Sequence, residues 1–196
     1  MYIKHMVDIS KLILGSSNKS KIQEYINFGL NLKTKSIPDL KEVNGTELDV
    51  ITYKVLELNE ENVLVEDSTL TVENANIGVN TKWLLEELQT NPDFEGRKAS
   101  WFVYIGFLHE NQVYICFSEI KGHISLKSLN NEAFGFDSVF IPNGSEDTLH
   151  ELKKKGLKDN FSPRKQAILK IINKSYDFVK KVDTIPQWKG QYQNES

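Results

Sequence analysis

Apolar residues fall along this chain in two rhythms, and each change of rhythm predicts an element. Lys11-Leu12-Ile13-Leu14 carries the continuous apolar run of a short buried strand. Past the polar stretch Gly15-Ser16-Ser17-Asn18, the residues Ile22, Tyr25, Ile26 and Leu30 recur at helical spacing. Residues 32–37 read as a second strand, closed by Pro38-Asp39 and an acidic loop reaching Gly45. Over 47–58 the spacing of Val50, Ile51, Val55 and Leu58 suits a helix, and Asn62-Val63-Leu64-Val65 then predicts a strand ending at Glu66. The order so far is β-α-β-α-β. Thr81 is placed to cap a helix over 82–88 that Asn91-Pro92 stops. Residues 98–108 and 112–120 are aromatic and β-branched runs joined at Glu110-Asn111, the pattern of a long hairpin. Ser162 and Pro163, followed by Ala167, Ile168, Ile171 and Ile172, predict a last helix that opens on a cap and a first-turn proline. The expectation is an α/β fold, a mixed sheet flanked by helices, in one domain over 1–181, with 182–196 as a flexible tail.

Composition narrows the function classes. With 196 residues, 39% of them hydrophobic, the chain can bury one sizeable core or two lobes sharing a sheet. A net charge of -3 with both signs interspersed argues against polymeric nucleic acid and against a polybasic membrane contact. Cys116 is the only cysteine and sits in an apolar strand pattern, so it reads as a small buried hydrophobe. The start of the chain lacks a leader pattern and no stretch reaches transmembrane length, so a cytoplasmic location is expected. His5, His109, His123 and His150 are scattered without ligand spacing, which turns the expectation for any metal from zinc to a hard cation.

Four polar groups carry candidate chemistry. Ser16, Asn18 and Lys21 lie where a buried strand passes into a helix, a place where free backbone N–H groups face an anion. An ordinary helix cap with a solvated lysine is the alternative reading. Glu42, Glu66 and Asp67 bring carboxylates to a loop and a strand end, a set that suits Mg²⁺ shared with phosphate oxygens; Lys54 would add an ammonium over the same anions. A strand-to-turn junction explains Glu66-Asp67-Ser68 equally well when it is taken alone. Phe134-Gly135-Phe136-Asp137 combines a ring, a close approach and an acceptor for the edge of a planar base, with Phe136 and Phe140 as alternative core residues. Lys158 with Ser162-Pro163-Arg164 places cationic donors near a helix start.

These groups, in this order, resemble the inosine triphosphate pyrophosphatase family over about residues 11–172. The family's Ser/Thr-x-Asn-x-x-Lys loop is matched by Ser16, Asn18 and Lys21, and its acidic loop and helical lysine by Asp39-Leu40-Lys41-Glu42 and Lys54. Glu66-Asp67-Ser68, Lys82-Trp83-Leu84-Leu85, Phe134-Gly135-Phe136-Asp137 and Lys158 resemble its further motifs. The resemblance implies an elongated mixed sheet in two lobes around a central nucleotide-binding cleft, and a homodimer. It also implies Mg²⁺- or Mn²⁺-dependent hydrolysis of ITP, dITP and XTP to the monophosphate and pyrophosphate. On that reading Glu42, Asp67 and Glu66 hold the metal, and one acid of the Glu66-Asp67 pair, Asp67 by preference, activates water. Ser16, Asn18, Lys21 and Lys54 serve the phosphates, Ser68 contacts the substrate, and Phe134, Gly135, Asp137, Lys158, Ser162 and Arg164 serve the base. Three positions depart from the family. Pro163 stands where members have histidine and can supply neither an imidazole nor a backbone N–H, Ser138 replaces a proline, and Thr69 replaces a glycine or cysteine. Three alternatives stay open: a Maf-like pyrophosphatase, an enzyme for another modified nucleotide, and a nucleotide-binding module without catalysis.

Overall fold

A computed structural model describes residues 7–75, 86–88, 90–127 and 136–193. The first strand, β1 (Ile13–Gly15), is shorter than its apolar run, because Ile9–Lys11 form a 3₁₀ turn capped by Asp8. Helix α1 (Lys19–Asn27) starts on the Asn18 side chain, which accepts from the Lys21 amide. It ends with Gly29 at φ 92°, where Gly29 N–H donates to the Ile26 carbonyl and Leu30 N–H to that of Tyr25. Tyr25 is buried as the helical spacing predicts, whereas Ile26 points to solvent at 41% exposure. The second strand is β2 (Lys33–Lys35).

Helix α2 (Glu47–Leu58) has the predicted bounds, set by a capping box between Thr46 and Asp49 and by Asn59 in the left-handed region. Its buried face carries Val50, Ile51 and Val55, and also Lys54. Strand β3 (Val63–Val72) corrects an expectation: it does not stop at Glu66 but runs on through Ser68-Thr69-Leu70-Thr71-Val72. Glu66 and Asp67 are therefore mid-strand residues. β4 (Lys98–His109) and β5 (Gln112–Ile124) form the predicted hairpin, and Glu110 and Asn111 both take positive φ, as a two-residue type I′ turn requires. β6 (Phe140–Pro142), α3 (Leu149–Lys154), α4 (Pro163–Ile172) and β7 (Phe178–Lys181) follow. Thr81 and the expected helix start at 82–85 lie outside the described residues.

Among the described residues the strands form one seven-stranded mixed sheet in the order β2-β1-β3-β4-β5-β6, with β7 also on β5. β1 pairs in parallel with β2 and β3, while β5 pairs antiparallel with β6 and β7. The chain divides into two compact units, one comprising 1–67, 104–117 and 164–196, the other 68–103 and 118–163. The first is built on Leu14, Tyr25, Ile51, Leu64, Phe107 and Ile168, the second on Leu70, Trp101, Ile124, Phe140 and Leu149, all buried. Cys116 is fully buried as expected, and desolvation pushes its thiol up to about 12, which leaves it an unreactive packing group.

β7 pairs with β5. In the expected tail, Val182–Thr184 form a 3₁₀ turn and Tyr192 bridges Val43. Among the described residues no helix is long and apolar enough to cross a membrane.

Candidate active site

Gly15 ends β1 where a Cβ would lie 3.0 Å from the Leu64 carbonyl oxygen and from Ile37 Cγ2. A larger residue there would press its neighbours apart by a few tenths of an ångström beside β3. The loop that follows is pre-shaped by its own side chains. The Asn18 amide donates to Ser16 Oγ at 3.1 Å, and Asn18 Oδ1 accepts from the Lys21 amide at 3.1 Å. Ser16, Ser17, Asn18 and Lys21 then line a cavity of about 340 Å³ together with Asp39, Glu42, Lys54 and Glu66. One open cavity thus gathers the predicted loop, both predicted lysines and two of the predicted acids.

Two consecutive carboxylates of β3 have different partners. Glu66, with a side chain only 1% exposed, is held by Arg164 from α4 and by Lys21 and Tyr25 from α1. Arg164 Nε reaches Oε2 at 3.0 Å and Nη2 reaches Oε1 at 2.8 Å, Tyr25 Oη donates to Oε2 at 2.9 Å, and Lys21 Nζ lies 3.2 Å from Oε1. Arg164 also pairs with Glu24. Burial alone would raise the Glu66 pKa, but the Arg164 and Lys21 charges and the hydrogen bonds outweigh it and hold the group at about 2. The same acid, with burial first, pushes the Tyr25 phenol well above its ordinary value.

Asp67 faces a different cation. Lys54 Nζ, on a side chain 11% exposed, lies 2.7 Å from Asp67 Oδ1 and 2.6 Å from Glu42 Oε1. Burial pulls the Lys54 pKa down, yet the two carboxylates more than compensate and raise it, so the ammonium is secure. Glu42 and Asp67 converge on the Lys54 ammonium, and their carboxylates are the type of hard oxygen donor that a cation shared with phosphate oxygens and water takes. Glu66 is not placed to join them, because both its oxygens are already bonded to guanidinium, phenol and ammonium. Of the three acids Glu42, Asp67 and Glu66, Lys54 brings the first two together, and Glu66 pairs with Arg164 and Lys21. Among the described residues there is no cluster of three or more potential metal-ligating side chains.

A second cluster lies in the other unit. Lys158 Nζ bonds Asp137 Oδ2 at 2.6 Å and stands 5.7 Å from the centroid of the Trp101 ring. Trp101 packs edge-on against Phe136 at 5.5 Å and donates from Nε1 to Ser68 Oγ at 2.9 Å. Ser68, expected to contact the substrate, is the acceptor for this indole. Ser162 is buried at the start of α4. Arg164, expected to serve the base beside Lys158, has Glu66 and Glu24 as its partners, because its place in the first turn of α4 sets it beside α1 and β3. Phe134 and Gly135 lie outside the described residues. Sequence reasoning missed Trp101, Tyr25 and Glu24; Tyr25 was visible only as a helical apolar position, and nothing in the hairpin pattern distinguished Trp101 from its neighbours.

Solved structures share this fold. A HAM1 protein from Coxiella burnetii superposes with a TM-score of 0.64 at 24% identity, covering 83% of this chain and 96% of that one. The Ham1 protein of Staphylococcus aureus gives 0.64 at 20% identity, covering 83% and 97%. The Ham1 family profile matches residues 12–174, and the chain belongs to that family. Among named relatives, a dITP/XTP pyrophosphatase of Oceanobacillus iheyensis is 26% identical over 82% of this chain and 95% of its own length. An inosine triphosphate pyrophosphatase of Candida albicans is 30% identical over 70% of this chain and 74% of its own.

Proposed function

We propose that this Ham1-family chain is a nucleoside triphosphate pyrophosphatase for non-standard purine nucleotides, converting ITP, dITP and XTP to the monophosphate and pyrophosphate. The observation that carries the reading is the single cavity in which the Ser16–Asn18 loop, Lys21, Lys54 and Glu42 meet beside β3. The loop and the lysines suit a polyphosphate, and the names of the relatives supply the base. Glu42 and Asp67 would hold Mg²⁺ or Mn²⁺, which when bound neutralises phosphate charge and eases the departure of pyrophosphate.

In the proposed reaction Ser16, Asn18 and Lys21 orient the triphosphate. Asp67 accepts a proton from the water whose oxygen bonds the α-phosphorus as the bridge to the β-phosphate breaks. Lys54 keeps Glu42 and Asp67 together, and Glu66 stays ionised and locked, positioning Lys21. At the base, Lys158 donates to the 6-oxo group and Asp137 accepts from N1–H, an edge that adenine reverses. Arg164, committed to Glu66 and Glu24, leaves Lys158 as the donor. Homodimer formation and a cytoplasmic location belong to the same proposal.

The test is pyrophosphate release from ITP, XTP and dITP against the four standard ribonucleotides, with Mg²⁺ and with EDTA. The expected kcat/KM for ITP exceeds that for ATP by about a hundredfold or more, since mismatched buried hydrogen bonds discriminate strongly. EDTA is expected to abolish turnover. Equal turnover of ATP and ITP would sink the assignment of Asp137 and Lys158, and preference for another modified base would point to Pro163.

A further inference from the structure

We propose that residues 186–193 are a strap that positions the Glu42 loop, so that a segment beyond the family-matched stretch sets how tightly the site binds its divalent cation. The inference rests on Glu42 as a metal ligand, as in the proposed function. The matched stretch ends at residue 174.

Three consecutive loop residues are bonded to the strap through their backbone. The Gln193 amide donates to the Glu42 carbonyl at 2.8 Å, Gln193 Nε2 donates to the Val43 carbonyl at 3.2 Å, and the Asn44 amide donates to the Gln191 carbonyl at 2.8 Å. Val43 is buried and forms an isolated antiparallel bridge with Tyr192. The neighbouring Lys41 ammonium lies 5.5 Å from the centroid of the Tyr192 ring. Gly45 is in tight contact too, since a Cβ there would come within 2.8 Å of Trp188 Cη2.

The strap is anchored in turn to α2. Tyr53 Oη donates to the Pro186 carbonyl at 2.7 Å, and the Tyr53 and Trp188 rings lie 5.1 Å apart. Trp188 Nε1 closes the strap on itself by donating to the Gln191 carbonyl at 3.0 Å. Tyr53 directly precedes Lys54, whose ammonium bonds Glu42. α2 therefore holds the Glu42 loop at both ends, through Lys54 at the carboxylate and through Tyr53 and the strap at the backbone. Losing a group that orients a metal ligand typically costs about 10- to 100-fold in metal affinity or activity.

The experiment uses a chain ending at residue 185, the point variants Trp188→Ala and Trp188→Phe, and Lys189→Ala as a strap control outside these contacts. Mg²⁺ dependence of pyrophosphate release is measured alongside calorimetric Mn²⁺ binding in the presence of inorganic pyrophosphate, and hydrogen exchange of the peptide covering 41–46. Truncation and Trp188→Ala are expected to raise the half-activating Mg²⁺ concentration and the Mn²⁺ Kd about tenfold. At saturating Mg²⁺, kcat should stay within about twofold of the unmodified chain, as positioning of the ligand predicts. Exchange over 41–46 should quicken, Trp188→Phe should recover most of the affinity, and Lys189→Ala should change nothing. Quickened exchange with an unchanged Mn²⁺ Kd would make the strap merely structural and overturn the proposal, as would a fall in kcat at unchanged Kd. If the truncated chain fails to fold, Trp188→Ala decides alone. Metal-independent turnover by the unmodified chain would overturn the proposed function first, before any variant is compared.

Discussion

Asp67→Asn is expected to lower kcat for ITP by about a thousandfold, within the range removed with a positioned general base, while the protein melts near its original temperature. Asparagine keeps the shape of the side chain and an oxygen for Lys54 Nζ, which lies 2.7 Å from Asp67 Oδ1. What it loses is the capacity to take a proton and one negative charge. The Lys54 ammonium keeps Glu42 as a partner, 2.6 Å away, so the buried cation is not left unpaired. That separates the chemical loss from a folding defect. Steady-state kinetics at saturating Mg²⁺ with a thermal melt on the same sample checks it. A loss below tenfold with folding intact would remove Asp67 from the role of base and move the question to how water is activated without it.

Arg164→Ala should cost about 3–5 kcal/mol of stability, the usual consequence of breaking a buried ion pair from one side. Glu66 would keep Lys21 at 3.2 Å and the Tyr25 phenol but lose the fork that bonds both its oxygens. Urea denaturation measures the loss, and a cost below about 1 kcal/mol would mean the pair behaves like an exposed one. The double variant Arg164→Ala with Glu66→Gln should cost less than the two single effects added, since the neutral amide needs no counter-charge. The pH dependence has a definite sign. Glu66 is held at about 2 against an ordinary value of 4.5, so its contribution is complete above about 4.5 and is lost as pH falls toward 2. The stability difference between the unmodified chain and Glu66→Gln should therefore narrow across that acid window and stay constant from pH 5 to 7. A difference that widened toward low pH would contradict the ion-pair account.

Legibility of the fold from sequence depended on how local the governing signal was. α2 was readable because the helical spacing of Val50, Ile51, Val55 and Leu58 lies within one element, whose ends Thr46, Asp49 and Asn59 fix in the structure. The hairpin was equally plain from two long runs and a two-residue turn. β3 was cut short because Glu66-Asp67-Ser68 read as a strand-to-turn junction, although the strand runs on through Thr69 and Thr71, good strand formers. In the site, the loop Ser16–Asn18, Lys21, Lys54, Glu42 and Asp67 were visible because loop, helix and strand each carry them in short motifs. The separate partners of Glu66 and Asp67 were not, since Tyr25 and Arg164 stand 41 and 98 residues from Glu66 and only tertiary packing brings them to it. The contacts of 186–193 were not legible for a further reason. Backbone hydrogen bonds such as those of Gln191 and Gln193 leave almost no trace in side-chain pattern.

The placement of the acid pair inside β3, and not at its end, has a consequence for how two tasks share so little chain. Successive side chains of a strand leave the backbone in opposite directions, so neighbours in sequence meet different surroundings. Glu66 falls to one set of helices, α1 and α4, and becomes a fixed anionic post that steadies a lysine. Asp67, one peptide later, falls to Lys54 of α2. On a helix, two consecutive carboxylates would project only about 100° apart, more exposed to each other's charge and with less separate company. The pleat works here as an electrical partition the thickness of a single backbone, letting a dipeptide give each of its two acids a separate cation.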